Sequence, residues 1–330
     1  MHPFASNGRM EKRDLGNTQI AVSELCLGGN VFGWTADEAT SFRILDNFMD
    51  SGGNFVDTAD VYTKWVEGHR GGESETLIGK WLKRFGRRDQ VIVTTKVGMD
   101  MGGDRKGLST AHIERSIDES LRRLQTDYVD VYLSHTDDAN TLLEETLRAY
   151  AKLIQQGKVR IVGASNYSAD RLAEALRISE EMRLPRYEVL QPLYNLADRE
   201  FETQLQPLCD EKNVSVTPYY ALAAGFLTGK YRSEANLEGK ARGNTVKKYL
   251  NDRGFRILAA LDEVAKRHGV TPTQIAIAWL LTRRTVAAAI ASATNLNQLR
   301  DLIAATELRL ELADVELLTH ASAVEAATSA

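Results

Sequence analysis

The sequence predicts an α/β protein, a single-domain (β/α)8 TIM barrel, and three observations lead there. Eight short apolar runs that read as strands alternate with helical patterns along the 330-residue chain. Most of these runs are near-continuous rather than alternating, as expected for parallel strands buried on both faces. Asp57, Lys96 and His135 stand 39 positions apart in turn, each at or near the end of such a run. About 40 residues is the size of one βα unit. The spacing therefore predicts that an acid, a base and an imidazole arrive at one level of three successive parallel strands, at the C-terminal mouth where barrel enzymes do their chemistry.

The elements follow in order. Residues 1–13 read as a flexible tail, and Leu15–Val22 as a small hairpin plugging the barrel bottom. The strand runs are Glu24–Gly29, Asn54–Ala59, Val91–Lys96, Tyr128–His135, Val159–Ser165, Val189–Asn195, Val214–Tyr220 and Ala287–Ser292. Among the helices, Thr110–Leu124 puts Ile113, Ile117, Leu121 and Leu124 on one stripe. Ser109 is its expected N-cap, with His112 where a capping-box Glu would stand. Thr141–Gln156 opens on Thr141 with Glu144 three residues on, and Gly157 stops it. The stretch from Tyr220 to Ala287 is about twice a normal unit. Its polar, basic portion LEGKARGNTVKKY reads as a mobile loop after the seventh strand, ahead of a helix from Asn251. Loops of that length in compact domains are usually functional. No repeat beyond the βα period and no linker divides the chain, so one domain over 1–330 is expected.

Composition narrows the function classes. A hydrophobic content of 43% with 26% charged residues is that of a water-soluble globular protein. The net charge of −4 offers no basic surface for nucleic acid or acidic lipid. No apolar run reaches the roughly 18 residues of a membrane span, and the N-terminus MHPFASNGRMEKR lacks the apolar core of a signal peptide. Cys26 and Cys209 are far apart, which fits a reducing, cytoplasmic setting and structural thiols. His69 and His112 have no ligand-spaced partners, so no metal is expected.

The window Gly53–Tyr62, GNFVDTADVY, places Asp57 at a strand end and Tyr62 in the loop above it. With Lys96 and His135, these groups suit proton transfer to a carbonyl oxygen. Tyr62 is the natural acid, with an unperturbed pKa of about 10. An ammonium at about 4 Å in an effective dielectric near 20 is worth about 4 kcal/mol, so Lys96 is expected to lower that value by roughly three units at most. Asp57 would hold the lysine charged and in place, and His135 would orient the substrate carbonyl. Trp34, after the first strand, and Trp65, three positions past Tyr62, are expected to wall the substrate pocket.

Three segments resemble signatures of the aldo-keto reductase family: GGNFVDTADVY, IERSIDESLRRLQTDYVDVYLSH and GKVRIVGASNY. The resemblance covers nearly the whole chain. It implies a catalytic tetrad of Asp57, Tyr62, Lys96 and His135, with Tyr62 as general acid in reduction. It also implies that Ser165, Asn166 and Gln191 hydrogen-bond a nicotinamide carboxamide and that Tyr219 stacks on its ring. Leu222, Gly225, Leu227 and Lys230 match the family's pyrophosphate loop, in the phosphate region usual for barrels. The segment SATNLNQLRD, with Ser292, Thr294, Gln298 and Asp301, would meet the adenosine end, and the helix opening near Asn295 would offer free N–H groups to a phosphate.

Two other nucleotide motifs do not fit. No G-x-G-x-x-G follows the first strand, and GFLTGK (225–230) is one residue short of a P-loop, with Tyr231 where Ser or Thr should hold magnesium. Where many relatives place Lys or Arg against the 2′-phosphate of NADPH, this chain has Ser292, Asn295 and Gln298, with Arg300 or the basic loop around Arg242 as substitutes. NADP(H) is expected ahead of NAD(H). The partners expected are a small-molecule carbonyl or alcohol substrate, with no nucleic acid and no membrane, and the chain is expected to be a monomer. An alternative from the same resemblance is a cofactor-binding, redox-sensing subunit like the channel-associated β subunits.

Overall fold

The structure, a computed structural model, describes residues 10–324. A two-stranded antiparallel hairpin, β1 (Lys12–Asp14) and β2 (Ala21–Ser23), precedes the barrel. Eight parallel strands follow: β3 (Leu25–Gly28), β4 (Phe55–Asp57), β5 (Ile92–Val97), β6 (Val129–Ser134), β7 (Val159–Ser165), β8 (Tyr187–Gln191), β9 (Ser215–Val216) and β10 (Ala289–Ala291). They pair in chain order, and β10 returns to pair with β3. The ring closes on its other side where Val216 N–H donates to the Thr285 carbonyl and Ala287 N–H to that of Val216, at 2.8 and 2.9 Å.

The helices are α1 (Glu38–Asp50), α2 (Glu73–Phe85), α3 (Thr110–Leu124), α4 (Leu143–Gln155), α5 (Ala169–Met182), α6 (Leu205–Lys212), α7 (Gly243–Lys247), α8 (Asp252–His268), α9 (Pro272–Leu281), α10 (Leu296–Glu307) and α11 (Leu312–Ala321). One large core lies between the strands and the helices; a second, smaller core fills the barrel. No described helix is long and apolar enough to cross a membrane.

The barrel interior shows why the mouth is polar. Side chains alternate across a strand, so every second residue faces inward. Phe55, Ile92, Val131, Leu133 and Val189 belong to the inner core. The same parity continues upward to Asp57, Lys96, His135 and Gln191. Leu15, Ile20 and Val22 join this inner core from below, so the hairpin does plug the barrel bottom. It is tied there by Arg13, which pairs with the buried Glu24 and donates to the Val286 and Leu281 carbonyls at 2.6 and 3.1 Å.

Several sequence expectations need correction. The expected tail reached residue 13, but Met10 is buried and Lys12 and Arg13 lie in β1; residues 1–9 lie outside the described part. The seventh run shrinks from Val214–Tyr220 to two residues, and the sixth ends at Gln191, because Pro218 and Pro192 have no N–H for the ladder. Ser109 occupies the N-cap of α3, but its side chain accepts no capping bond. The first N–H of that helix, at Thr110, instead donates to Glu145 of α4 at 2.9 Å. Thr141 does not cap α4 either; its hydroxyl donates to Asp138 at 2.7 Å, and the helix starts after Leu142. The stretch read as a mobile loop contains α7, with Val246 and Tyr249 buried in the large core.

Candidate active site

The equal stride does not put the three groups directly opposite one another. Asp57 pairs with Thr94 and Lys96 with Leu133. Each functional residue therefore stands two positions farther along its strand than the partner of the previous one. Strand tilt, about 36° in such barrels, converts that climb into a shared height at the mouth, and the groups meet. Asp57 and Lys96 are 2% and 0% exposed. Lys96 Nζ donates to Asp57 Oδ2 at 2.7 Å, to the Thr58 carbonyl at 2.7 Å and to Tyr62 Oη at 3.0 Å. An ammonium has three protons, and here all three are used. Tyr62 in turn donates to Asp57 Oδ2 at a longer 3.3 Å. The His135 ring lies edge-on to Tyr62 at 6.0 Å between centroids.

The electrostatics differ from expectation at Tyr62. Lys96 was expected to lower its pKa. Instead, burial and then the Asp57 carboxylate push the phenol well above its usual range. The physical reason is that Asp57 neutralises Lys96 at 2.7 Å, leaving desolvation of the phenolate uncompensated. Tyr62 therefore holds its proton at neutral pH. Burial, then the Lys96 charge, hold the His135 imidazole well below its usual range, so the ring is neutral. Its Nδ1 is buried without a hydrogen-bond partner among the described residues.

Beside this group, β7 and β8 carry a chain of amides and hydroxyls. Gln191 Nε2 donates to Asp57 Oδ1 at 2.9 Å, and Ser165 Oγ donates to the Gln191 carbonyl at 2.8 Å. Asn166, at φ +56°, donates to the His135 carbonyl at 2.9 Å and accepts from the Tyr219 hydroxyl at 2.8 Å. Ser165, Asn166, Gln191 and Tyr219 are thus brought together beside Asp57 and His135, with the Tyr219 ring half-buried. Such a set can both donate to and accept from a carboxamide, so the residues present fit a nicotinamide.

The remaining expected residues are less uniform. Leu222 is half-buried, and Gly225 takes φ +99° in a tight turn over Ala223–Thr228. The Leu227 side chain is in the core and its N–H donates to the Leu222 carbonyl at 3.2 Å, so it offers a ligand little. Lys230 Nζ lies 4.9 Å over the Tyr231 ring. Ser292 Oγ donates to Asn30 at 2.7 Å. At the start of α10, Gln298 N–H donates to Asn295 and Thr294 N–H to Gln298 Oε1, at 3.0 and 2.8 Å; two donors expected to be free there are taken. Asp301 accepts from Gln274 at 3.0 Å.

Trp34 and Trp65 pack edge to face at 5.8 Å, and Trp65 packs on Tyr62 at 5.8 Å. Trp65 is 50% exposed, so this wall is open to solvent. Arg242, considered above for the 2′-phosphate, lies instead over Trp34 at 5.7 Å. Sequence reading missed Thr58, which contributes only a carbonyl and so leaves no side-chain signal, and Asn30.

The comparisons with known proteins agree with this architecture. The model of the aldo/keto reductase family matches residues 24–323. The chain belongs to the aldo/keto reductase family. Its members are NAD(P)H-dependent oxidoreductases, and this chain is one by that membership. It is 34% identical to the Uncharacterized oxidoreductase YrpG of Bacillus subtilis (strain 168), over 92% of this chain and 93% of that one. It is 32% identical to the Aryl-alcohol dehydrogenase GME11368 of Pestalotiopsis microspora, over 91% and 79%. It is 33% identical to a Probable voltage-gated potassium channel subunit beta of Arabidopsis thaliana, over 91% and 92%. The buried thiols of this aldo/keto reductase are free. Burial pushes Cys209 up to about 12 and Cys26 well above its usual range, so both stay protonated.

Proposed function

We propose that this aldo/keto reductase reduces an aldehyde or ketone, or oxidises an alcohol or sugar hydroxyl in reverse, with Tyr62 as general acid and base. The observation that carries the reading is one buried ammonium, Lys96, hydrogen-bonded to both Asp57 and Tyr62. Tyr62 enters protonated, as an acid must. As its proton leaves for a carbonyl oxygen, the Lys96 Nζ–H bond to Oη comes to join two opposite charges and strengthens, so it favours the transition state over the ground state. Asp57 keeps the lysine fixed, and the neutral His135 ring can donate one N–H to the same carbonyl oxygen. Tyr62 gives up only a long bond to Asp57, which Lys96 and Gln191 already satisfy.

A bound nicotinamide would supply the hydride at C4 in reduction and accept it in oxidation. Ser165, Asn166 and Gln191 would hold its carboxamide and Tyr219 one face of its ring. Leu222, Gly225 and Lys230, with Ser292, Thr294, Gln298 and Asp301, would hold the remainder. The family usually binds NADP(H), and we take it ahead of NAD(H) here. Titration of each cofactor by quenching of tryptophan fluorescence tests the choice, and tighter NADH binding overturns it.

The test of the reaction is NADPH consumption with 4-nitrobenzaldehyde, lost in Tyr62→Phe. An aromatic substrate suits the Trp34–Trp65 wall, and one relative carries an aryl-alcohol dehydrogenase name. A second reading, a cofactor-binding regulatory subunit, is supported by the similarity to potassium channel β subunits. NADPH binding with no turnover across a panel of aldehydes, ketones and sugars would favour it.

A further inference from the structure

A half-buried cation stands at the substrate mouth, with no anion among the described residues to meet it. Arg242 comes from the long segment after β9, just ahead of α7, and its guanidinium lies 5.7 Å over the Trp34 ring. From there the rings step inward, Trp34 to Trp65 and Trp65 to Tyr62, each 5.8 Å apart. Nη2 of Arg242 is buried and has no hydrogen-bond partner among the described residues. The groups acting most on its charge are the phenols of Tyr220, Tyr231 and Tyr62; none is a carboxylate. Leaving a guanidinium in that position without a counter-charge is costly, and the cost is offset when a ligand brings a carboxylate. The planar fork of donors suits a carboxylate in two parallel bonds.

We propose that Arg242 is a specificity-determining residue that selects carbonyl substrates bearing a carboxylate, seated along the Trp34–Trp65 wall with the carbonyl toward Tyr62. The inference rests on the carbonyl-reductase reading and narrows its substrate class to anionic aldehydes and ketones. The same guanidinium could meet a cofactor pyrophosphate, which shares the anionic chemistry, so the test separates the two sources.

The experiment compares kcat/KM for 4-carboxybenzaldehyde and its neutral counterpart, methyl 4-formylbenzoate, in wild type, Arg242→Gln and Arg242→Lys. The expected result is a preference for the acid of about tenfold or more in wild type. The ratio should collapse toward unity in Arg242→Gln and be partly restored in Arg242→Lys. Calorimetric titration of terephthalate, which has no reducible carbonyl, into protein saturated with NADP+ reads the anion site independently of turnover. Binding in wild type that is lost in Arg242→Gln supports the site even if neither aldehyde is reduced, in which case the reaction reading fails alone. Equal use of acid and ester with no terephthalate binding overturns the inference. So does a preference that survives in Arg242→Gln. Weaker NADPH binding in Arg242→Gln with an unchanged acid-to-ester ratio assigns the guanidinium to the cofactor and also overturns it.

Discussion

Lys96 illustrates how one buried side chain links stability to chemistry. Its ammonium neutralises Asp57 and at the same time meets the Tyr62 oxygen. Tyr62→Phe removes the hydroxyl, and with it both the transferable proton and the acceptor of the Lys96 bond, so kcat/KM for a neutral aldehyde should fall by about 10²–10⁴. Cofactor binding, followed by fluorescence quenching, should stay intact; a loss of less than tenfold would remove Tyr62 from the acid role. Lys96→Met has a second consequence, because it strands the Asp57 carboxylate in the barrel. Stability should drop by about 3–5 kcal/mol, measured by urea unfolding. The double variant Asp57→Asn/Lys96→Met should recover much of that stability while remaining inactive. If Lys96→Met is as stable as wild type, the buried pair is not what holds the mouth together. These residue types at strand ends were readable in the chain; the reversed direction of the Tyr62 shift was not, because it depends on how far Asp57 cancels Lys96.

Helices α2 and α3 meet without the space for a side chain at one point. A Cβ at Gly79 would lie 2.1 Å from the Arg123 carbonyl oxygen. Arg123 itself donates to the buried Glu75 at 2.6 Å, and Glu75 accepts from Thr95 of β5 at 2.6 Å. The crossing thus joins two helices to the strand that carries Lys96. Gly79→Ala improves helix propensity by about 1 kcal/mol, but overpacking costs typically 1–3 kcal/mol. The net effect should be destabilising, seen as a lower urea midpoint at unchanged slope; a raised midpoint would show that the helices can part freely. The helical stripe of Thr110–Leu124 was evident from its period, and its capping was not. Ser109 has the right chemistry at the right place, yet Glu145 from the next helix does the work at Thr110, because a cap is decided by which acceptor the packing brings near.

Across the whole molecule, stability should depend on pH through Asp60. It sits in the loop between Asp57 and Tyr62, buried, with Oδ1 lacking a hydrogen-bond partner among the described residues. Burial, and then the charge of Glu75, push its carboxyl up to about 7. Its unfolded value is about 3.9, so between roughly pH 4 and 7 the folded protein binds the extra proton. The stability this contributes is fully present below the unfolded value and is lost as pH rises through 7. Asp60→Asn should therefore gain stability relative to wild type at pH 8 and lose that advantage at pH 5, as read by Tm at both values. An advantage equal at the two pH values would show that Asp60 does not titrate in this range.

The bare chain was enough for the barrel, its strand count and the residue types at its mouth. Burial on both faces writes a continuous apolar run, and the βα period repeats in the numbering; both are local signals. Closure of the ring decided the rest. Strand tilt brings Asp57 to Lys96 although they are not paired across the sheet. Pro192 and Pro218 shorten strands that looked longer. Arg242, after β9, reaches Trp34, after β3, only once the barrel has closed. Contacts between residues so far apart in the chain depend on shear, tilt and packing, which belong to the closed barrel and to no local segment.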